Sequence, residues 1–427
     1  MVVTIVVLLI LAGVSISLVV SNNGVIQRSK EAGNKYGQAK YNEATQIDAV
    51  SDWIDEQVTG KKSNVVKTFK EKKDKNSTIN GEEGSSKNPT IPAGYVPINT
   101  ETSNWGDGST APTQDSVDHG LVIRDDNNNE WVWIPVPDVI IMCDTENETE
   151  YTLCGTEGET AVKTTKYSKT IRVGTEYVGE NLVRTTPGTT GEESHREPDL
   201  AIGSDGTEYD AQQEYYNGIL GFESKEKMAE AFVADYNEMI ASIGKYGGFY
   251  IGRYELSAAG VQKDKATLTN TNWYSLYKKC KELKASDKVE TRMIWGCQWD
   301  VTCNFIANYG EEKDIKDSRD WENCKDSRNP ANTGNYEIGT DGNAIKKNTG
   351  SNEAWKANNI YDFAGNCAEY TQEINDNHLR VDRWGCCNSY GTQSGYAAWR
   401  GDYGNGPDFE YSDLGGTRPT LIINMEE

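Results

Sequence analysis

The chain is organised around the stretch Asn359-Ile360-Tyr361-Asp362-Phe363-Ala364-Gly365-Asn366-Cys367-Ala368-Glu369-Tyr370-Thr371. Arg380-Val381-Asp382-Arg383-Trp384-Gly385 follows it, and the domain closes near Gly416-Thr417-Arg418-Pro419. Between Trp384 and Gly416 apolar periodicity is absent, and no lysine occurs after Lys356. Tyr390, Tyr396, Trp399, Tyr403, Phe409 and Tyr411 are scattered among Gly, Ser, Asn and Asp. Tyr and Trp give large, rigid contact area at low entropic cost, while Ser, Gly and Asn adapt to a partner. Residues 380–421 therefore read as a ligand-binding region, ahead of the alternative of a glycine-rich loop region that packs its aromatics on itself, and everything upstream reads as the means of presenting it.

Composition narrows the partners. The 427 residues suffice for one large domain and a stalk, or for two to three ordinary domains. Lys and Arg total 43 against 66 Asp and Glu, a formal charge of −23. Such a surface repels phosphate backbones, so no nucleic-acid partner is expected. Tyr (23), Trp (11) and Gly (41) are plentiful beside seven Phe, which suits a loop-rich fold whose aromatics carry polar handles. The nine cysteines form no matched pair of C-x-x-C motifs, so no zinc site is expected. Neighbouring cysteines such as Cys386 and Cys387 rarely bond to each other, because the geometry is strained. Small buried thiols are the expected state for most of the nine.

Val2 to Val20 is one uncharged apolar run, long enough at 1.5 Å per residue for roughly 28 Å, a bilayer core. It lacks the basic start and short core of a signal peptide. Ala32, Tyr36 and Ala39, then Ile47, Val50, Ile54 and Val58, continue a helical rhythm. We expect a hydrophobic-then-amphipathic helix over 1–58, a polar Lys-rich linker over 59–90, and a head over 91–427. In the head, Gly120 to Val136 reads as a hairpin around Asp125-Asp126-Asn127-Asn128-Asn129. Residues 144–210, rich in Thr, Glu and Gly, read as a β-rich insertion. His195, Glu197 and Asp199 within it read as an exposed loop, not a metal cluster. Ser224 caps a predicted helix to Ile243, with Met228, Phe232, Met239 and Ile243 on its apolar stripe and Gly247-Gly248 at its end. A strand over Phe249–Glu255, a helix over Asn272–Ala285 and a third helix running to Ile306 complete the series.

Two resemblances add to this reading. Val2-Val3-Thr4-Ile5-Val6-Val7-Leu8-Leu9-Ile10-Leu11-Ala12-Gly13 resembles the N-terminal helix of type IV pilin-like proteins, which implies contact with a membrane or with pilus subunits through residues 2–58 and display on a bacterial surface. The stretch 359–371 resembles the G-L-Y-D-M-A-G-N-V-W-E-W-T signature of formylglycine-generating-enzyme-like domains. Arg380-Val381-Asp382-Arg383 matches that family's R-V-x-R, and Trp131-Val132-Trp133-Ile134-Pro135 and Gly248–Glu255 resemble its strands. The resemblance implies an α+β head of the C-type-lectin fold. It also raises catalysis, and the residues argue against it. Oxidases of the family hold copper(I) with two late cysteines four residues apart, whereas Cys386 and Cys387 are adjacent. Iron-dependent relatives need a histidine cluster, whereas His119, His195 and His378 are far apart in the chain. No G-x-S-x-G occurs. No enzymatic activity is expected, and fold alone does not supply one. The alternative readings are a formylglycine-generating-type oxidase or related metal-dependent enzyme on the same fold, and a purely structural pilus subunit.

In enzymatic relatives the G-N-x-x-E stretch binds a structural calcium, which would fall here to Asn366 and Glu369; the alternative is that both make loop hydrogen bonds. Finally, Arg380, Val381, Arg383, Gly385, Ala397, Ala398, Arg400, Arg418, Pro419 and Leu421 resemble the fixed frame of variable proteins diversified by retroelements. The positions implied to vary and to meet an unknown protein or glycan are Trp384, Cys386, Cys387, Tyr390, Tyr396, Trp399, Asp402, Tyr403, Asp408, Phe409 and Tyr411.

Overall fold

The computed structural model describes residues 73–78, 83–98, 117–137, 200–201, 209–315, 321–325, 336–340, 342, 344–363, 365–374, 380–383, 385–387, 397, 407–408 and 414–425. It also describes the backbone of strands at 150–154, 162–165, 171–173, 176–178 and 400–401. All of these belong to the unit Lys67–Glu427. The expected helix over 1–58 lies outside the described residues. Among the described residues no helix is long and apolar enough to cross a membrane.

The head is a mixed α and β structure with open sheets. In chain order its strands begin with β1 (Val96–Ile98), β2 (Val122–Arg124) and β3 (Glu130–Pro135). Two separate hairpins follow in the expected insertion, β4 (Glu150–Cys154) with β5 (Val162–Thr165), and β6 (Ile171–Val173) with β7 (Glu176–Val178). A π-helical turn (Glu214–Ile219) leads to α1 (Lys225–Tyr246), β8 (Gly248–Gly252), α2 (Trp273–Lys281), β9 (Val289–Met293) and α3 (Gly296–Asn308). The chain closes with β10 (Lys356–Ala357), β11 (Ile360–Tyr361), β12 (Ala368–Ile374), β13 (Arg380–Arg383), β14 (Arg400–Gly401), β15 (Gly415–Thr417) and β16 (Pro419–Ile423).

The main sheet has six strands in the order β1-β2-β3-β8-β16-β9. Alternation along β3 explains how it is buried on both faces. Trp131 and Trp133 enter one core with Tyr250, Leu421 and the α2 residues Trp273, Leu276 and Tyr277. Val132 and Ile134 enter the other with Ile251, Ile422 and the α3 residues Trp299, Phe305 and Ile306. Helix α1 serves both cores, giving Met228 and Phe232 to the first and Met239 and Ile243 to the second. The Ser224 side chain accepts from the Lys227 amide, as an N-cap should. At the other end Gly247 takes a φ of 75°, and a Cβ there would meet the backbone of Ser86 at 2.3 Å, so glycine is required twice over.

The signature stretch orders the loops by a shared device. Asn358, Asn359, Asp362 and Asn366 all adopt positive φ, between 47° and 66°, the left-handed region that Asn and Asp tolerate best. Asn358-Asn359 is the two-residue turn between β10 and β11, whose register pairs Ala357 with Ile360. Each of the four side chains ties down a different segment. Asn358 donates to the Phe305 and Tyr309 carbonyls at the end of α3. Asn359 donates to His119 and Gly120 ahead of β2. Asp362 accepts from Thr349 and Gly350. Asn366 donates to Glu255 and accepts from Asn323 and Lys347.

A second sheet, ordered β14-β13-β12-β15, follows at once. Strand β12 runs antiparallel to β13 and parallel to β15. From β15 the chain passes through Arg418 straight into β16 of the main sheet, with Pro419 as first residue, where a missing N–H does least harm. Arg418 thus marks the junction of the two sheets.

The spacer read over 59–90 ends earlier than its composition implies. Ser77 bridges to Ile91, the Trp133 indole donates to the Ser86 carbonyl (3.1 Å), and the Tyr250 hydroxyl donates to the Thr90 carbonyl (2.9 Å). Polar side chains predict little burial, but these backbone carbonyls satisfy buried aromatic donors, a role that composition does not reveal.

Candidate functional site

Three arginines bracket the candidate binding region, and all three are buried. On β13, Arg380 donates to Asp210 (2.7 Å) and to the Gln372 carbonyl, with its guanidinium 4.1 Å from the ring centre of Trp273. Arg383 donates to Asp300 on α3 and to Glu373 on β12, each at 2.9 Å. Arg418 grips both oxygens of Glu369, at 2.7 and 3.1 Å, and donates to the carbonyls of Gly252, Tyr361 and Asp362. Planar, permanently charged guanidinium matches such forked partners, which lysine cannot do. The three pairs tie both strands that leave the signature stretch to α3, to the main sheet and to the end of the insertion.

Around Arg418 acid outnumbers base. Glu255, Glu322, Asp362 and Glu369 are all buried within electrostatic reach of this one guanidinium. Burial, reinforced by the neighbouring carboxyls, pushes Glu255 and Glu322 well above the usual carboxylate range. Burial lifts Asp362 to about 6 and Glu369 to about 7, against the pull of Arg418. Unfolded, these groups titrate near 4. Between pH 4 and 7 the folded head therefore holds protons that the unfolded chain has released, so stability falls as pH rises through this window. We expect a higher urea midpoint at pH 5 than at pH 8, with roughly 3 kcal/mol per carboxyl as the upper end. Asp362→Asn should flatten the slope, and a midpoint that rises from pH 5 to 8 would contradict the assignment.

The two residues implied as calcium ligands do not fit that role. Both Glu369 oxygens face the Arg418 guanidinium, and the Asn366 oxygen accepts from the Asn323 side chain and the Lys347 amide. A cation would meet a fixed positive charge and an oxygen with both acceptor directions already used. These are the loop hydrogen bonds of the alternative reading. Among the described residues no group of three or more His, Cys, Asp or Glu is arranged to hold a metal ion.

Of the implied contact positions, Cys386 and Cys387 lie inside the head, 7% and 0% exposed, so neither belongs to a surface that meets ligand. Asp408 is half-buried, near Tyr215 and Tyr370, whose phenols burial raises first and Asp408 raises further. Trp384, Tyr390, Tyr396, Trp399, Asp402, Tyr403, Phe409 and Tyr411 lie outside the described residues, as do His195, Glu197 and Asp199. The frame fares differently. Arg380, Val381, Arg383, Gly385, Ala397, Arg418, Pro419 and Leu421 are all buried. The region between β13 and β15 is fastened at points: the Trp299 indole donates to the Ala397 carbonyl (2.7 Å), and the Trp273 amide to that of Pro407 (3.0 Å).

Sequence reading missed the acidic partners of the frame. Asp210 falls at the end of an apparent loop, Glu255 and Asp300 inside a predicted strand and a predicted helix, and Glu373 two residues past the signature stretch. The available signal was the arginines themselves, since a guanidinium in an apolar strand pattern demands a buried carboxylate. Against protein-family models, characterised proteins and solved structures, the chain gives no match.

Proposed function

We propose that this chain is a surface-displayed binding protein of a bacterium. Residues 2–58 form a pilin-like helix that joins a membrane or a filament. The head takes a C-type-lectin fold and meets an unknown protein or glycan through the region 384–413. Binding rests on aromatic anchors and adaptable polar groups, without covalent chemistry. One observation carries the reading: eight of the ten frame positions are buried, and the arginines among them are ion-paired to separate elements. Such a frame holds its ends whatever side chains stand between them, as a diversified surface requires. Cys386 and Cys387 belong with that frame, because a buried position cannot accept arbitrary side chains.

Deep sequencing of the 3′ end of the gene across one bacterial population tests this. Substitutions should concentrate at Tyr390, Tyr396, Trp399, Asp402, Tyr403, Phe409 and Tyr411, while Arg380, Arg383, Cys386, Cys387 and Arg418 stay fixed. A uniform region, or equal variation at the buried arginines, would sink diversification.

A further inference from the structure

Three chain segments that are distant in sequence each bring a cysteine to one place. The Asn366 amide donates to the Asn323 carbonyl (2.9 Å), the Cys387 amide to the Asn366 carbonyl (3.1 Å), and the Lys325 amide to the Cys387 carbonyl (3.1 Å). Segments 323–325, 365–367 and 385–387 are thus hydrogen-bonded neighbours, carrying Cys324, Cys367, and Cys386 with Cys387. All four cysteines are thiols in this structure and all are buried.

Of the combinations, the pair Cys367 and Cys387 is the best placed. Cys387 Sγ points at the Ala344 carbonyl (3.6 Å), so it faces the segment 344–347. The Cys367 thiol hydrogen-bonds with Thr267 and lies within electrostatic reach of Lys346 and of the Cys387 thiol. The backbone bond from Cys387 reaches Asn366, the residue next to Cys367 in the chain, and a disulfide needs the two Cα atoms within roughly 4.4–6.8 Å. Gly365 lets the segments close up, since a Cβ there would stand 2.8 Å from Asn323 N and Glu322 Cβ.

We propose that Cys367 and Cys387 form a disulfide in the presence of a low-molecular-weight disulfide oxidant, stapling the start of the candidate binding region to the signature stretch. The thiolate of one cysteine attacks the oxidant, breaks its S–S bond and expels one thiol. The second cysteine, as thiolate, attacks the mixed disulfide, forms the Sγ–Sγ bond and expels the other thiol. The two protein thiols lose two protons and two electrons, and the oxidant becomes two thiols. Burial raises the Cys367 thiol well above its ordinary value, so the folded head reacts slowly and the bond closes during folding. It fixes Cys387, the described residue from which the chain departs into 388–396, and so couples the geometry of the binding region to the redox state of its compartment.

The test refolds the full chain with oxidised and reduced glutathione, blocks remaining thiols, digests with trypsin without reduction and maps the products by mass spectrometry. The expected product joins the peptide 357–380 to the peptide 384–400, with fragmentation placing the bond at Cys387. It should persist in Cys386→Ser and vanish in Cys367→Ser. On the intact wild-type chain, the folded-to-unfolded ratio in urea should fall about 100-fold on adding reductant, as expected for closing a loop of roughly twenty residues. A bond from either peptide to 320–325, a Cys386–Cys387 bond, or complete blocking of both cysteines would overturn the proposal. The wild-type map decides even if the serine variants fail to fold.

Discussion

Arg418→Ala costs the head about 5 kcal/mol of stability at neutral pH. The side chain is fully buried and makes five hydrogen bonds, two of them to Glu369. Removing one partner of a buried ion pair costs about 3–5 kcal/mol, because the other charge is stranded away from water. Here the cost is at the upper end, since Glu255, Glu322 and Asp362 share the same guanidinium and the carbonyls of Gly252, Tyr361 and Asp362 lose their donor. A domain holds only about 5–15 kcal/mol in all. Position matters as much as charge. Arg418 stands between β15 and β16, so its loss uncouples the two sheets where, among the described residues, the chain passes directly between them. Arg418→Lys keeps the charge but not the fork, and falls between the two. The measurement is urea unfolding followed by circular dichroism, at pH 8 and pH 5. Arg418→Ala should recover part of its loss at pH 5, because without the guanidinium the carboxyls take up protons more readily. A loss within about 1 kcal/mol of the parent at pH 8 would show that the cluster is held by packing, not by Arg418.

The frame of the head was readable in advance where local chemistry repeats a known solution. Ser224, the stripe Met228-Phe232-Met239-Ile243 and Gly247 specify α1 by cap, period and stop, and the structure has all three. The alternation Trp131-Val132-Trp133-Ile134 specifies β3, and Asn272 caps α2. What stayed hidden depends on long-range partners. Nothing local to Asp210 says that Arg380, 170 residues away, will pair with it. Nothing in Ser86 or Thr90 says that Trp133 and Tyr250 will use their carbonyls. Asn366 and Glu369 show the same limit from the other side. Their types and spacing suit calcium and suit hydrogen bonding equally, and only the position of Arg418 separates the two. The resemblance to diversified variable proteins puts Cys386 and Cys387 among the contact positions, yet the backbone bonds of Cys387 to Asn366 and Lys325 turn that short segment inward.

Trp299→Ala is expected to cost about 3–5 kcal/mol, the range for emptying a buried tryptophan site. The ring is fully buried, lies 4.1 Å from the Phe363 ring in a stacked arrangement, and donates to the Ala397 carbonyl. It therefore joins three things: α3, the signature stretch through Phe363, and the candidate binding region through Ala397. Alanine removes both links from α3 and leaves a cavity between the elements. Trp299→Phe separates the links. It keeps most of the stacking and the apolar contact but has no N–H, so it should cost only about 1–3 kcal/mol, mostly because the Ala397 carbonyl is left with the weak Cys303 thiol donor at 3.8 Å. The two variants should differ more in where they loosen the head than in how much. Amide hydrogen exchange by mass spectrometry reads this directly. In Trp299→Phe, protection should drop around residue 397 while β8 and β16 keep theirs; in Trp299→Ala all should fall together. Uniform loss in Trp299→Phe would mean that Ala397 is held by the core as a whole. Local loss would mean that one indole hydrogen bond sets the geometry of the binding region from beneath, through a residue that need never touch the ligand.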